Sequence, residues 1–112
     1  MVNKIESVEQ FEQILKEQKS FYILKHSLTC PISQAAYEEF ESYDQENPNF
    51  PQYFLAVQDS RPLSNHIAEK FHIKHESPQA ILFNNHDVAW HASHWKITFD
   101  SLTKAREENP AQ

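Results

Sequence analysis

The single cysteine of this chain, Cys30, lies in the stretch Thr29-Cys30-Pro31-Ile32-Ser33, directly after a run of strand-forming residues. Pro31 suits the first position of a helix, where its missing N–H costs nothing, so Cys30 is predicted to be the N-cap. A thiolate there faces unpaired N–H groups and the positive end of the helix dipole, which lower the pKa of cysteines from about 8.5 to about 3.5–7.5. The Ser33 hydroxyl is predicted to donate a further hydrogen bond to the sulfur. The stretch therefore predicts catalytic roles for Cys30 and Ser33.

The alternative for a lone cysteine is a buried structural role, which is its commonest fate. A proline at the next position and a polar serine three residues on favour the reactive interpretation.

The amino-acid composition excludes several common functional sites. The chain has 112 residues and contains no glycine. Both the P-loop and the GxGxxG dinucleotide turn need glycine where the backbone approaches phosphate, so neither motif is present. Because there is only one cysteine, the chain can form neither an internal disulfide nor a zinc site of the Cys₄, Cys₃His or Cys₂His₂ type.

The net charge of −6 argues against a general nucleic-acid binder and against attachment to an anionic membrane through basic residues. No apolar run approaches the ~18–20 residues of a membrane-spanning helix, and the N-terminal residues lack the apolar segment of a signal peptide. We therefore expect a cytoplasmic protein that binds neither nucleic acid nor membrane.

Hydrophobic patterning predicts an α/β fold in a single domain spanning residues 1–112. The predicted element order is α-β-α-β-α-β-β-α, with strands at residues 21–26, 53–57, 79–83 and 88–94. Alternation of the first strands with helices implies parallel crossovers, and the last two strands form an antiparallel hairpin around residues 84–87. These elements predict a four-stranded mixed sheet with helices on both faces.

The seven histidines do not predict a metal site. His91 and His94 are three positions apart on a predicted strand, so their side chains point to opposite faces. His72 and His75 could meet, but two ligands alone make a weak site.

Several other residues near the predicted cysteine have open roles. Trp95 is predicted either to belong to the core or to line the cleft beside Cys30. His26 is predicted to face solvent at the end of its strand, with support of the thiolate as the alternative. Three lysines are predicted to lie on the surface near the same end of the sheet: Lys25, Lys74 and Lys96.

The sequence Thr-Cys-Pro-Ile-Ser at residues 29–33 resembles the active-site motif of the monothiol bacilliredoxins (YtxJ-like proteins), a family of the thioredoxin-like superfamily. The likeness covers essentially the whole chain, because a strand precedes the motif, a helix follows it, and Ser77-Pro78 stands just before a strand and hairpin. Dithiol thioredoxins have a second cysteine where this chain has Ser33. The resemblance therefore implies a thioredoxin-like fold without an internal resolving thiol.

The resemblance also implies a reaction and its partners. Cys30 would attack the bacillithiol sulfur of an S-bacillithiolated client protein and release the client thiol. Bacillithiol, a low-molecular-weight thiol, would then be the co-substrate that regenerates Cys30, with no cofactor bound to the protein. A separate NADPH-dependent reductase would recycle bacillithiol disulfide. The Ser77–Pro78 peptide bond is expected to be cis and to lie beside the cysteine. The residues expected to bind the substrate are Thr29, Pro31, Ser77, Pro78 and Trp95.

Two other functions stay open at this point. One is a non-catalytic redox sensor or interaction module in which modification of Cys30 switches partner binding. The other is a glutaredoxin-like iron–sulfur carrier; such carriers usually have glycine after the cysteine, so Pro31 counts against it.

Overall fold

The structure, a computed structural model, describes residues 2–110 of the chain. Residues 1, 111 and 112 of the predicted domain lie outside the described residues. The elements, in chain order, are β1 (Asn3–Lys4), α1 (Val8–Glu17), β2 (Ser20–His26), α2 (Pro31–Glu46), β3 (Gln52–Ala56), α3 (Arg61–Phe71), β4 (Gln79–Asn84), β5 (Asp87–Ser93), a 3₁₀ helix (His94–Lys96) and α4 (Phe99–Glu108).

The strands form one mixed sheet in the order β1-β3-β2-β4-β5. Strand β3 pairs in parallel with β1 and β2, whereas β4 pairs antiparallel with β2 and β5. The parallel crossover and the antiparallel hairpin are confirmed, but the prediction of four strands was wrong because β1 adds a fifth at the sheet edge. Its two residues are polar and exposed, so no hydrophobic alternation marks them as a strand. Only their pairing with Tyr53 and Phe54 of β3 makes them one.

Strand β2 lies at the centre of the sheet and is buried on both faces. Phe21 and Ile23 pack into a core beneath α1 and α3, whereas Tyr22 and Leu24 pack into a second core beneath α2 and α4. Helices therefore cover both faces of the sheet, as predicted. The alternation of side chains along a strand explains why neighbouring residues enter different cores.

The ends of the elements follow local chemistry that is visible in the sequence. Ser7 Oγ accepts from the Gln10 N–H at 3.1 Å and begins α1 with a capping box. The β4–β5 turn places Asn85 and His86 at φ values of 54° and 67°. These left-handed values are typical of two-residue hairpin turns and are tolerated well by asparagine.

The last part of the chain differs slightly from the prediction. Strand β5 ends at Ser93, because His94 has a φ of 55° and starts the 3₁₀ helix. The final helix is capped by Thr98, whose Oγ1 accepts from the Ser101 N–H at 3.0 Å.

The Tyr22 hydroxyl connects the central strand to the last helix by donating to the Leu102 carbonyl at 2.6 Å. Both residues are fully buried. We expect Tyr22→Phe to lower the free energy of unfolding by about 1 kcal/mol, the typical net contribution of an intramolecular hydrogen bond. Urea denaturation followed by circular dichroism measures the change. Tyr37→Phe is the matched control, because none of the described hydrogen bonds involves the Tyr37 hydroxyl; an equal loss in the control would contradict the assignment.

Candidate active site

The loop between β2 and α2 (residues 27–29) is held by three side-chain hydrogen bonds. The Ser27 N–H donates to Ser33 Oγ at 3.0 Å, and the Leu28 N–H donates to Gln58 Oε1 at 3.1 Å. The Gln58 amide also donates to Ser27 Oγ at 3.0 Å. Gln58 follows β3 by two residues and has no pattern that connects it to this loop, so sequence reasoning missed it. The loop that precedes Cys30 is therefore held in place by Ser33 of α2 and by Gln58, which follows β3.

Cys30 is the N-cap of α2, with φ −103° and ψ 123°, and Pro31 is the first helical residue, as predicted. The cysteine is partly exposed, and both Thr29 and Pro31 are exposed beside it. A nucleophile needs this access. The side chains flanking the sulfur along the chain are therefore open to an incoming disulfide.

The predicted hydrogen bonds to the sulfur are not made. Within residues 2–110, no backbone N–H of α2 caps the Cys30 side chain. Ser33 is fully buried, and its described hydrogen bond is the one it accepts from the Ser27 N–H. Its hydroxyl bonds to the loop rather than to the sulfur, and it supplies the acceptor for the partly buried Ser27 N–H. The structure thus gives Ser33 a role in ordering the loop, whereas its predicted catalytic role stays a prediction.

His26 does not face solvent, which corrects its predicted placement. It is 9% exposed, and its ring packs at centroid distances of 5.1 Å from Tyr37 and 6.2 Å from Phe54. Burial lowers the pKa of His26, and the main chain of Ser33 offsets this in part. A neutral imidazole is therefore the form that suits this position.

The Ser77–Pro78 peptide bond is cis, as predicted. Antiparallel pairing sets Lys25 of β2 opposite Gln79 of β4, so Pro78 lies level with the end of β2. That end of the sheet is also where the loop delivers Cys30. Cys30 and Pro78 therefore lie at the same end of the sheet, where β2 ends and β4 begins.

The main chain around Pro78 is partly used and partly free. The Pro78 carbonyl accepts from the His94 N–H at 3.1 Å. Among the described residues, neither the N–H nor the carbonyl of Ser77 has a hydrogen-bond partner, and the buried Ser77 hydroxyl has none either. The Ser77 peptide groups are thus available to pair with another chain.

Trp95 is not a core residue, because it is 70% exposed. It lies on the 3₁₀ helix, which contacts α2 and begins at His94, the residue bonded to Pro78. Leu28, in the loop before Cys30, is the other exposed large apolar residue of the described chain, at 55%. Trp90, by contrast, packs partly buried against the core beneath α2 and α4. Both exposed apolar side chains therefore belong to segments that adjoin the candidate site.

Lys25 is not a surface residue either. It is fully buried within β2, whereas Lys74 and Lys96 are exposed as predicted.

Residues 2–110 contain no group of three or more His, Cys, Asp or Glu side chains arranged to hold a metal ion. None of the helices in this range combines the length and apolar character needed to cross a membrane.

The geometry agrees with one known family. A family model described as monothiol bacilliredoxin BrxC matches residues 3–102 of the chain. The chain belongs to the monothiol bacilliredoxin family. The matched residues include both the Cys30 motif and the Ser77-Pro78 segment, so both parts of the candidate site lie within the family match.

Solved structures place this bacilliredoxin in the thioredoxin-like fold. A protein described as a candidate oxidoreductase with a thioredoxin fold is 44% identical, with a TM-score of 0.90 over 94% of this chain and 93% of that chain. Thioredoxin from Trypanosoma brucei brucei, 17% identical, gives a TM-score of 0.78 over 96% of this chain and 89% of its own. Thioredoxin from Fasciola hepatica, 12% identical, gives 0.78 over 96% and 98%. Family and fold together give this bacilliredoxin a thiol oxidoreductase role.

We expect Ser33→Ala to destabilise this bacilliredoxin by about 1 kcal/mol, because the partly buried Ser27 N–H would lose its acceptor. Urea denaturation measures the loss, and hydrogen–deuterium exchange of residues 27–29 should become faster. The matched control is Ser77→Ala, since the Ser77 hydroxyl is buried without a partner among the described residues. A greater loss in the control than in Ser33→Ala would show that Ser33 does not order the loop.

Proposed function

We propose that this bacilliredoxin removes bacillithiol from S-bacillithiolated proteins by a monothiol mechanism at Cys30. The observation that carries the proposal is the placement of the chain's only cysteine at the N-cap of α2, at the end of the sheet where cis-Pro78 also lies. Ser33 occupies the position where a dithiol enzyme has its resolving cysteine. A lone thiol can exchange with a disulfide, but it needs a second, external thiol to complete a cycle.

The proposed cycle has two exchange steps. In the first, the Cys30 thiolate attacks the bacillithiol sulfur of the mixed disulfide. The bond between Cys30 and bacillithiol forms, the bond to the client breaks, and the client leaves as a thiolate. In the second, a free bacillithiol thiolate attacks the bacillithiol sulfur on Cys30. Bacillithiol disulfide leaves, and Cys30 is again a thiolate.

Substrate orientation in this proposal comes from the segments around the sulfur. The free N–H and carbonyl of Ser77 would pair with the extended main chain next to the client disulfide, held at a rigid position by Pro78. Thr29, Pro31 and Trp95 are exposed at or near this end of the sheet and would complete the surface that contacts the client. This arrangement would align the incoming disulfide without help from a second protein sulfur.

The proposal implies three kinds of partner. Client proteins carry the modified cysteine, bacillithiol serves as co-substrate, and a separate NADPH-dependent reductase reduces the bacillithiol disulfide that forms. No bound cofactor, nucleic acid or membrane takes part. The proposed location is the cytoplasm, where bacillithiol and its clients would meet.

Cys30→Ser is expected to abolish release of bacillithiol from a bacillithiolated protein, because no other sulfur nucleophile is present near the site. The fold should keep nearly its wild-type stability, since serine is itself a favourable N-cap. Mass spectrometry follows the masses of the client and of the bacilliredoxin with time, and thermal unfolding checks the fold.

The wild-type protein should gain one bacillithiol in the first step and lose it when free bacillithiol is added. Residual turnover above a few per cent in Cys30→Ser would rule out the mechanism. An adduct on wild-type Cys30 that free bacillithiol does not remove would instead indicate a redox sensor.

Ser33→Cys is expected to convert the site to a dithiol Cys-Pro-x-Cys arrangement. The side chains of the N-cap and of the third helical residue lie on the same side of the first turn, so the two sulfurs should be able to meet and form a disulfide. The mixed disulfide with bacillithiol should then be short-lived, because the new thiol displaces bacillithiol internally. Mass spectrometry of the oxidised variant should show the loss of two hydrogens, and no such loss would show that the side chains cannot meet.

A further inference from the structure

Lys25 is a buried lysine whose hydrogen-bond partners are polar but uncharged. Its side chain is fully buried, and its Nζ donates to the Ser64 carbonyl of α3 at 3.0 Å. It also lies 3.2 Å from His75 Nδ1. No carboxylate forms an ion pair with Lys25 among the described residues.

Burial of this amine opposes folding at neutral pH. Removal from water lowers the pKa of Lys25 to about 8 from its ordinary value of 10.5. At pH values below 8 the amine is charged in both the folded and the unfolded chain, so the folded state bears the full desolvation cost. A buried charge without an ionic partner is often replaceable by an apolar side chain with no loss of stability. Stability alone therefore does not account for Lys25.

The contacts of Lys25 determine the protonation of His75. An ammonium group can only donate hydrogen bonds, so His75 Nδ1 must be the acceptor. The proton of the neutral His75 ring therefore lies on Nε2. Ser64 Oγ lies 3.1 Å from the same Nδ1. Partial burial, followed by the charges of Lys25 and Arg61, lowers the pKa of His75. A neutral ring is thus held between α3 and β2.

His75 belongs to the segment that leads into the cis-proline, which we name the proline loop (residues 72–78). Gln79 Nε2 donates to the Lys74 carbonyl at 3.0 Å, and Ser93 Oγ donates to Glu76 Oε2 at 2.6 Å. These bonds tie the loop to β4 and to the end of β5. The contact between Lys25 and His75 is the one described side-chain hydrogen bond that ties it to β2, the strand that leads to Cys30.

We propose that Lys25 is a positioning residue for disulfide exchange, holding the proline loop against β2 through His75 so that the Ser77 main chain meets the disulfide being attacked at Cys30. The proposal rests on the proposed function in that it takes a disulfide-bearing polypeptide as the ligand of Ser77. Because β2 and the proline loop meet at the same end of the sheet, a shift of the proline loop would misplace the substrate without moving the Cys30 sulfur.

Lys25→Met tests this directly, because methionine keeps an unbranched stem and removes the amine. We expect the rate constant for exchange with a bacillithiolated peptide to fall at least about tenfold, the scale of loss that follows small misplacements. Alkylation of Cys30 by iodoacetamide, which needs no contact with Ser77, should be unchanged. The free energy of unfolding should be equal to or greater than that of the wild type. Lys16→Met, an exposed lysine on α1, is the matched control and should change neither rate.

Variants of His75 keep the proposal testable if Lys25→Met does not fold, since His75, unlike Lys25, is not a fully buried residue. His75→Leu removes the acceptor and should slow exchange as Lys25→Met does. His75→Asn places an acceptor oxygen near the Nδ1 position and should retain most of the rate. The double variant Lys25→Met/His75→Leu should be no slower than either single variant, because both changes break the same contact.

Two results would overturn the proposal. One is an exchange rate in His75→Leu equal to that of the wild type. The other is a parallel fall of alkylation and exchange in Lys25→Met, which would mean that Lys25 acts on the sulfur. Failure of the wild type to release bacillithiol would refute the proposed function instead. Exchange with a glutathionylated peptide and hydrogen–deuterium exchange of the proline loop would then still decide the role of Lys25.

Discussion

The antiparallel pairing of β2 with β4 is the constraint on which the site depends. Its register sets Lys25 opposite Gln79, and the chain leads from this pair to both parts of the candidate site. The chain leaves β2 towards Cys30 and enters β4 from Pro78. A slip of the pairing by one residue would move the proline along the strand and turn every side chain of β2 to the opposite core. Burial of β2 on both faces makes such a slip costly.

The residue that makes this a monothiol protein also has a structural function. Ser33 stands where a dithiol relative has its second cysteine, yet its hydroxyl accepts the Ser27 N–H and orders the loop before Cys30. A cysteine sulfur would be a weaker acceptor for that donor. The serine therefore changes both the resolving chemistry and the way in which the loop is held, and Gln58 completes the same network from the β3 side.

The last two residues of β2, Lys25 and His26, are polar side chains buried where apolar ones would favour stability. From Phe21 to Leu24 the strand is apolar and buried, but Lys25 and His26 continue it with polar side chains that are buried as well. They point to opposite faces, Lys25 towards α3 and the proline loop, and His26 beneath α2. Natural sequences break the rule of apolar cores mainly at functional sites. The end of β2 fits that pattern, since the loop of the candidate site begins at the next residue.

The sequence by itself determined the helices, the four longer strands and the position of Cys30 at a helix start, because capping residues, hydrophobic periodicity and proline act locally. The Asn84–Asp87 hairpin was predictable for the same reason, since asparagine tolerates a positive φ. Only the tertiary structure decided the fifth strand at Asn3–Lys4, which exists through its ladder to β3, and the partners of Ser33. It also decided that Trp95 is exposed and that Lys25 is buried against His75. These depend on contacts between residues far apart in the chain, and no local pattern in one sequence records which distant donor a buried acceptor will meet.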